Sequence, residues 1–148
     1  MNDIHLKQQM AISLVVLFLI LPFNIIHELG HGFICALYGN DYSLTLSLFS
    51  RSNTTCPNNN FNQIIYGMAG GLIVMLLSLL FLIIPSIRNS IGARTGFFSL
   101  ATMSLGNAIF EGFLFEFYNQ NILLSEFVLY IIWFISITIQ WTIILKQN

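Results

Sequence analysis

Four long apolar runs, at residues 10–38, 64–84, 97–118 and 122–145, constrain this chain more than any other feature. Each holds the roughly 20 residues a helix needs to cross a ~30 Å hydrocarbon layer, where only a segment that satisfies its own backbone hydrogen bonds is stable. Composition agrees, since 56% of the 148 residues are hydrophobic, 7% are charged, and mean hydropathy is +0.80. Soluble domains carry about 25% charged residues. The chain therefore reads as an all-α, polytopic membrane protein, one domain over residues 1–148, with a bundle of about four transmembrane helices and a short extramembrane loop or strand. Five Lys and Arg residues are too few to line a nucleic-acid groove. Two cysteines cannot staple a secreted miniprotein, and a chain this apolar is not disordered. The formal net charge of −1 identifies no partner.

As one straight helix, the first run would be about 43 Å long, more than a single crossing requires. Pro22 lacks a backbone donor and crowds the Phe18 carbonyl, so a kink is expected there. No small-x-small site follows Leu21, where the chain reads Pro22, Phe23, Asn24, so the run is read as a retained span and not a cleaved leader. Residues 40–62 form the one sizeable polar stretch and lie outside the hydrocarbon. Their opening, Ser43-Leu44-Thr45-Leu46-Ser47-Leu48, alternates with period two and suggests a short strand at the membrane surface, a plain loop being the alternative.

With four crossings, Lys7, Arg88, Arg94 and Lys146 share one side and Arg51 has the other. Basic residues are retained on the cytoplasmic side, which puts both termini in the cytoplasm and the 40–62 loop outside, with the plasma membrane as the expected location. Cys56 would then face an oxidising space while Cys35 lies within a helix; two unpaired thiols are the simpler expectation, a bond between them the alternative.

Within the first run stands His27-Glu28-Leu29-Gly30-His31, an H-E-x-x-H motif. Four residues advance a helix by about 400°, so both imidazoles share one face and can chelate one ion. Zinc accepts neutral imidazole nitrogen, and three protein ligands plus an open position make a catalytic site. Glu28 is then placed as a base, taking a proton from a water whose pKa the metal lowers toward ~7. Asn24, His27, Glu28, His31 and Cys35 fall in a stripe about 100° wide, giving the helix one polar face. Asn24 could orient water or a histidine. Gly30 and Gly32 would admit a neighbouring helix. The competing interpretation of the motif is two packing histidines with a snorkelling Glu, weakened by the cost of about 2.5 to 3.5 kcal/mol for each ionisable group at mid-membrane.

Two histidines leave a ligand missing. Glu111 is about 21 Å into the third span and Glu28 about 27 Å into the first, counted from the same side, so their depths match within helix tilt. Ser104, Asn107 and Glu111 share one face of that span, with Asn107 able to donate to a ligand carboxylate or a substrate carbonyl. Asp41, beyond a Gly-Asn break, is the second candidate for the third ligand. Glu116 and Glu126 are expected near the outer interface, where carboxylates are easily hydrated.

This H-E-x-x-H in a membrane helix, a glycine-rich second span and an acidic-Gly pair in the third together resemble the site-two protease family of intramembrane zinc metalloproteases. The resemblance implies a three-helix core, His27 and His31 as zinc ligands, Glu28 as base and Glu111-Gly112 in place of the family's Asp-Gly. Gly67-Met68-Ala69-Gly70-Gly71 is similar to its mid-helix glycine motif, and the strand-like 43–48 segment to an edge that pairs an unwound substrate. The similarity spans roughly residues 24–112 and leaves the fourth helix unaccounted for. Asn107 stands four residues before Glu111 with no proline between, and Glu replaces Asp, both departures from the family pattern.

The sequence thus points to a zinc metalloprotease that hydrolyses peptide bonds of a membrane protein or peptide substrate within the lipid bilayer. The alternatives are an inactive zinc-binding scaffold or partner subunit, and a small transporter using His27, Glu28 and Glu111 as an ion pathway.

Overall fold

The computed structural model describes residues 3–46, 52–57 and 62–147. In chain order the elements are α1 (Asp3–Val15), a 3-10 turn (Val16–Leu19), α2 (Ile20–Leu37), β1 (Ser43–Thr45), β2 (Asn53–Thr55), α3 (Gln63–Phe81), α4 (Pro85–Asn89), α5 (Ile91–Phe113), α6 (Phe115–Gln120) and α7 (Ile122–Gln147). Three helical stretches among the described residues are long and apolar enough to cross a membrane: Ile4–Leu37, Gln63–Phe81 and Ile122–Lys146. Phe33, Phe134 and Leu123, exposed by 58%, 62% and 83%, are among many large apolar side chains on the surface of these helices.

Helix α5 is long enough to be a fourth crossing but does not share that uniform apolarity. The reason is its position. It packs against α1, α3 and α7, so its buried face carries small and polar residues in place of lipid-facing ones, among them Gly92, Thr95, Gly96, Ser99, Ser104, Ala108 and Gly112. A Cβ at Gly71 would stand 2.5 Å from Ala108 N and Ser104 O, so α3 and α5 meet backbone to backbone. The third run was expected at 97–118; the helix instead begins at Ile91, where Ser90 Oγ accepts the Ala93 N–H, and breaks at Leu114 before α6.

The first run starts earlier than expected, at Asp3, and its irregularity lies one turn before Pro22 rather than at it. With no Pro22 N–H for the Phe18 carbonyl, the helix tightens over Val16–Leu19 and the Ile20 N–H reaches Leu17 O. Helix α2 ends at Leu37 with Gly39 at φ 73°. The Asn40 N–H returns to Cys35 O and the Gly39 N–H to Ala36 O, a Schellman cap that satisfies two terminal carbonyls. The second run ends with α3 at Phe81, and Pro85 opens α4 in the position where its missing N–H is harmless.

Polar side chains fasten the helices to one another. Gln9 Oε1 accepts the Gly92 N–H at 2.8 Å and the Ser90 hydroxyl at 3.0 Å, tying α1 to the start of α5. Trp141 Nε1 donates to Ser13 Oγ at 3.1 Å and Gln140 Nε2 to Ser99 Oγ at 2.9 Å, tying α7 to α1 and α5. These contacts gather Lys7, Arg88, Arg94 and Lys146 toward one end of the bundle, and the β-hairpin lies toward the other. Val16, Phe23, Val74, Phe97 and Leu100 form one apolar core, and Trp133, Ile137 and Trp141 of α7 a second, packed against Leu6, Leu17, Ile91 and Met103.

The hairpin differs from expectation in two ways. Its first strand covers only Ser43–Thr45, Ser47 and Leu48 lying outside the described residues, and it pairs antiparallel with β2, Leu44 opposite Thr54. Cys35 and Cys56 are joined in a disulfide, where unpaired thiols were expected. Leu44–Thr54 pairing folds β2 back over α2, which brings the two cysteines, 21 residues apart in sequence, to a Cα separation of 6.1 Å. Arg51 and the Asn58, Asn59, Asn60 run lie outside the described residues.

Candidate metal centre

His27 and His31 stand one turn apart on the buried face of α2, and Glu111 reaches them from the last turns of α5. Glu111 Oε2 lies 3.0 Å from His27 Nε2 and 3.3 Å from His31 Nε2, and the two Nε2 atoms are 3.1 Å apart. All three residues are buried, and their donor atoms could together hold a metal ion. Of the two acidic candidates, Glu111 is the one the fold brings to the histidines, and Asp41, exposed after the α2 cap, is not part of the cluster.

The hydrogen bonding around the cluster bears on whether an ion fits. His31 Nδ1 is 2.8 Å from the Tyr66 carbonyl, which can only accept, so the proton sits on Nδ1 and a neutral His31 presents a lone pair at Nε2. Asn107 Nδ2 lies 3.4 Å from His27 Nδ1 while Asn107 Oδ1 is buried without a partner. With that amide turned over, Oδ1 would face an Nδ1–H and leave His27 Nε2 as a second lone pair aimed at the same point. Glu111 Oε2 is likewise buried, and its close partners are the two imidazole Nε2 atoms. With a proton on one Nε2 these contacts are an ion pair; with both imidazoles neutral, three electron-pair donors face one another unrelieved. Zinc at about 2.0 to 2.1 Å from each ligand would place tetrahedral ligands about 3.3 Å apart, close to the three separations present.

Space is provided by a glycine. A Cβ at Gly70 of α3 would stand 2.6 Å from His27 Cε1, His27 Nε2 and His31 Nε2. Gly30 of α2 approaches the same stretch, where a Cβ would be 2.8 Å from Ala69 O, and the Gly67 position abuts the Glu111 carbonyl of α5. The glycine-rich segment of the second span is thus the floor on which the ligand helices meet. Gly32, expected to admit a helix, faces the Tyr42 ring instead.

Two cavities flank the cluster and share Glu28, Glu111 and Tyr118 in their walls. The larger, about 410 Å³, lies between α2, α5 and α7; Asn24, Ser104 and Asn107 supply its polar wall and Phe23, Val74 and Leu129 part of its apolar wall. The smaller, about 250 Å³, opens toward the hairpin past Ser52, Thr54, Tyr66 and Asn119. Glu116 is exposed. Glu126 is only partly exposed and lines the larger cavity, because the first turns of α7, which packs along α5, form one of its walls.

Sequence reasoning missed Thr54 and Tyr66. Thr54 Oγ1 is 2.8 Å from both the Glu28 carbonyl and Glu28 Oε2. Both residues reach the site only through the hairpin and the α2–α3 contact, and neither carries a local sequence signal. No family model, curated protein or solved structure matches this chain. Fold and site together define a predominantly helical protein with membrane-spanning character, carrying a buried two-histidine, one-carboxylate cluster beside a further glutamate.

Proposed function

We propose that this chain is an intramembrane zinc metalloprotease that hydrolyses peptide bonds of membrane-embedded or membrane-associated substrates, with four crossings and both termini in the cytoplasm. The observation that carries this reading is the convergence of His27 Nε2, His31 Nε2 and Glu111 Oε2 within 3.0 to 3.3 Å of one another, with Glu28 on the same cavity walls. Zinc held there would supply Lewis acidity and lower the pKa of a bound water toward ~7. Glu28 takes a proton from water as the scissile carbonyl is attacked and returns it to the leaving amine. Asn107, on the cavity wall beside His27, holds that imidazole in the ligating tautomer. The larger cavity receives a substrate backbone that has unwound locally, since a helical backbone shields its carbonyls.

The test compares wild type with Glu28→Gln, purified in detergent and reconstituted with a panel of single-span peptides. The wild type is expected to carry about one zinc per chain and to cleave. The variant should keep the zinc and lose cleavage by about 10²- to 10⁴-fold, the contribution of a general base. Equal cleavage by both proteins, or a wild type without zinc, overturns the reading. Zinc with no cleavage of any peptide favours the inactive scaffold, and metal uptake into proteoliposomes the transporter.

A further inference from the structure

The proposed mechanism needs Glu28 aimed at one point, yet a glutamate has three rotatable side-chain bonds, and here cavities on two sides of it. Something must hold it. Thr54, a buried residue of β2, places its hydroxyl 2.8 Å from Glu28 Oε2 and 2.8 Å from the Glu28 backbone carbonyl. One hydroxyl proton serves one of these acceptors at a time, and the Thr54 oxygen lies within hydrogen-bond reach of both, so the Glu28 carboxyl is held against the backbone of its own helix.

Thr54 is itself anchored. The Tyr66 hydroxyl donates to the Thr54 carbonyl at 3.1 Å, while the Tyr66 carbonyl accepts from His31 Nδ1 at 2.8 Å, so one residue of α3 sets both the hairpin and a cluster histidine. Two residues beyond Thr54, Cys56 is bonded to Cys35, which lies on the same helix as Glu28 and two turns further along it. The strand that holds the glutamate is therefore covalently tied to the helix that carries it.

We infer that Thr54 is the positioning residue for Glu28 and that the Cys35–Cys56 bond keeps it in register, so that cleavage responds to the state of the hairpin. This rests on Glu28 acting as the base, and Glu28→Gln is carried in parallel to separate the two claims. In liposomes, Thr54→Val should lower kcat about 10- to 100-fold with KM and zinc content unchanged, and Thr54→Ser should restore most of it. Reduction of the disulfide should lower kcat in the wild type and add little in Thr54→Val. An infrared readout needs no turnover. The carboxylate stretch assigned by its loss in Glu28→Gln should shift in Thr54→Val, whether or not zinc is bound, and stay in place in Thr54→Ser.

Thr54→Val with wild-type kcat and an unmoved stretch overturns the inference while Glu28→Gln remains inactive. Thr54→Ser as impaired as Thr54→Val, or a drop confined to KM, assigns Thr54 to packing or substrate binding and overturns it as well. If Thr54→Val aggregates, the reduced wild type and Thr54→Ser still decide. Active Glu28→Gln removes the protease reading, and the infrared shift alone then tests whether Thr54 holds Glu28.

Discussion

Replacing Gly70 by Ala puts one methyl group where the cluster needs space. The new carbon would stand 2.6 Å from His27 Cε1, His27 Nε2 and His31 Nε2, whereas carbon contacts are comfortable at about 3.5 to 4.0 Å. The shortfall is about 1 Å on two histidines at once. Neighbouring backbone leaves little room for relief, because Gly30 already brings α2 against Ala69 and Gly70. The strain of overpacking is worth about 1 to 3 kcal/mol. Alanine gains about 1 kcal/mol over glycine in helix propensity, so the net loss of stability is about 0 to 2 kcal/mol. Function is more sensitive, since a 1 Å misplacement of reacting groups can cost about 10²-fold in rate. The expected result is a folded Gly70→Ala protein with a near-normal thermal midpoint, zinc content well below one per chain and at least 10²-fold slower cleavage. Metal analysis of the detergent-purified protein, a thermal unfolding curve and the liposome assay give the three readouts. Gly106→Ala is the control: its Cβ would meet only the flexible ends of Leu129 and Ile132, at 3.1 and 3.4 Å, so zinc and rate should be retained. Gly70→Ala with full zinc and wild-type turnover would refute the assignment of the α2–α3 contact as the floor of a metal centre.

Other perturbations separate ligand, support and scaffold. Glu111→Ala should empty the centre of zinc in metal analysis while the helices remain folded by circular dichroism; retention of one zinc per chain would remove Glu111 from the ligand set. Asn107→Leu, which deprives His27 Nδ1 of its partner, should weaken zinc affinity about 10- to 100-fold in a competition titration against a chelator of known affinity, and unchanged affinity would contradict the tautomer assignment. Gln9→Ala leaves the buried Gly92 N–H without its acceptor and should lower stability by about 1 to 3 kcal/mol in detergent unfolding, with zinc content unchanged. Cys35 and Cys56 should resist maleimide labelling in the unfolded protein until a reductant is added; immediate labelling of both would exclude the bond.

The helical architecture and much of the cluster were legible in the sequence for local reasons. A run of twenty apolar residues has few stable conformations in a bilayer, and an i, i+4 pair of histidines shares a helix face wherever that helix lies. Even Glu111 could be placed by depth and face, because helix geometry fixes how far along and around the axis a residue stands. The glycine cluster at residues 67–71 was visible as a pattern, though which helix each glycine would meet was not.

Composition was a poorer guide where neighbours substitute for lipid. Helix α5 starts six residues before its apolar run because its first turns hold Gly92, Thr95 and Gly96, and the two glycines fit against the first run rather than facing hydrocarbon. That Glu126 lines a cavity depends on α7 packing along α5, which the residues around Glu126 do not signal. The Cys35–Cys56 bond and the Thr54–Glu28 contact both depend on one event, the folding of β2 back over α2, which pairs residues across a connection that has no periodicity to read. Sequence alone determined the helices and the face on which each chemical group sits, because those follow from backbone geometry and solvent within a few turns of chain. Tertiary structure alone decided which faces meet, because the contact of α3 with α2 and α5 is set by where glycines let backbones touch, and that is a property of pairs of helices.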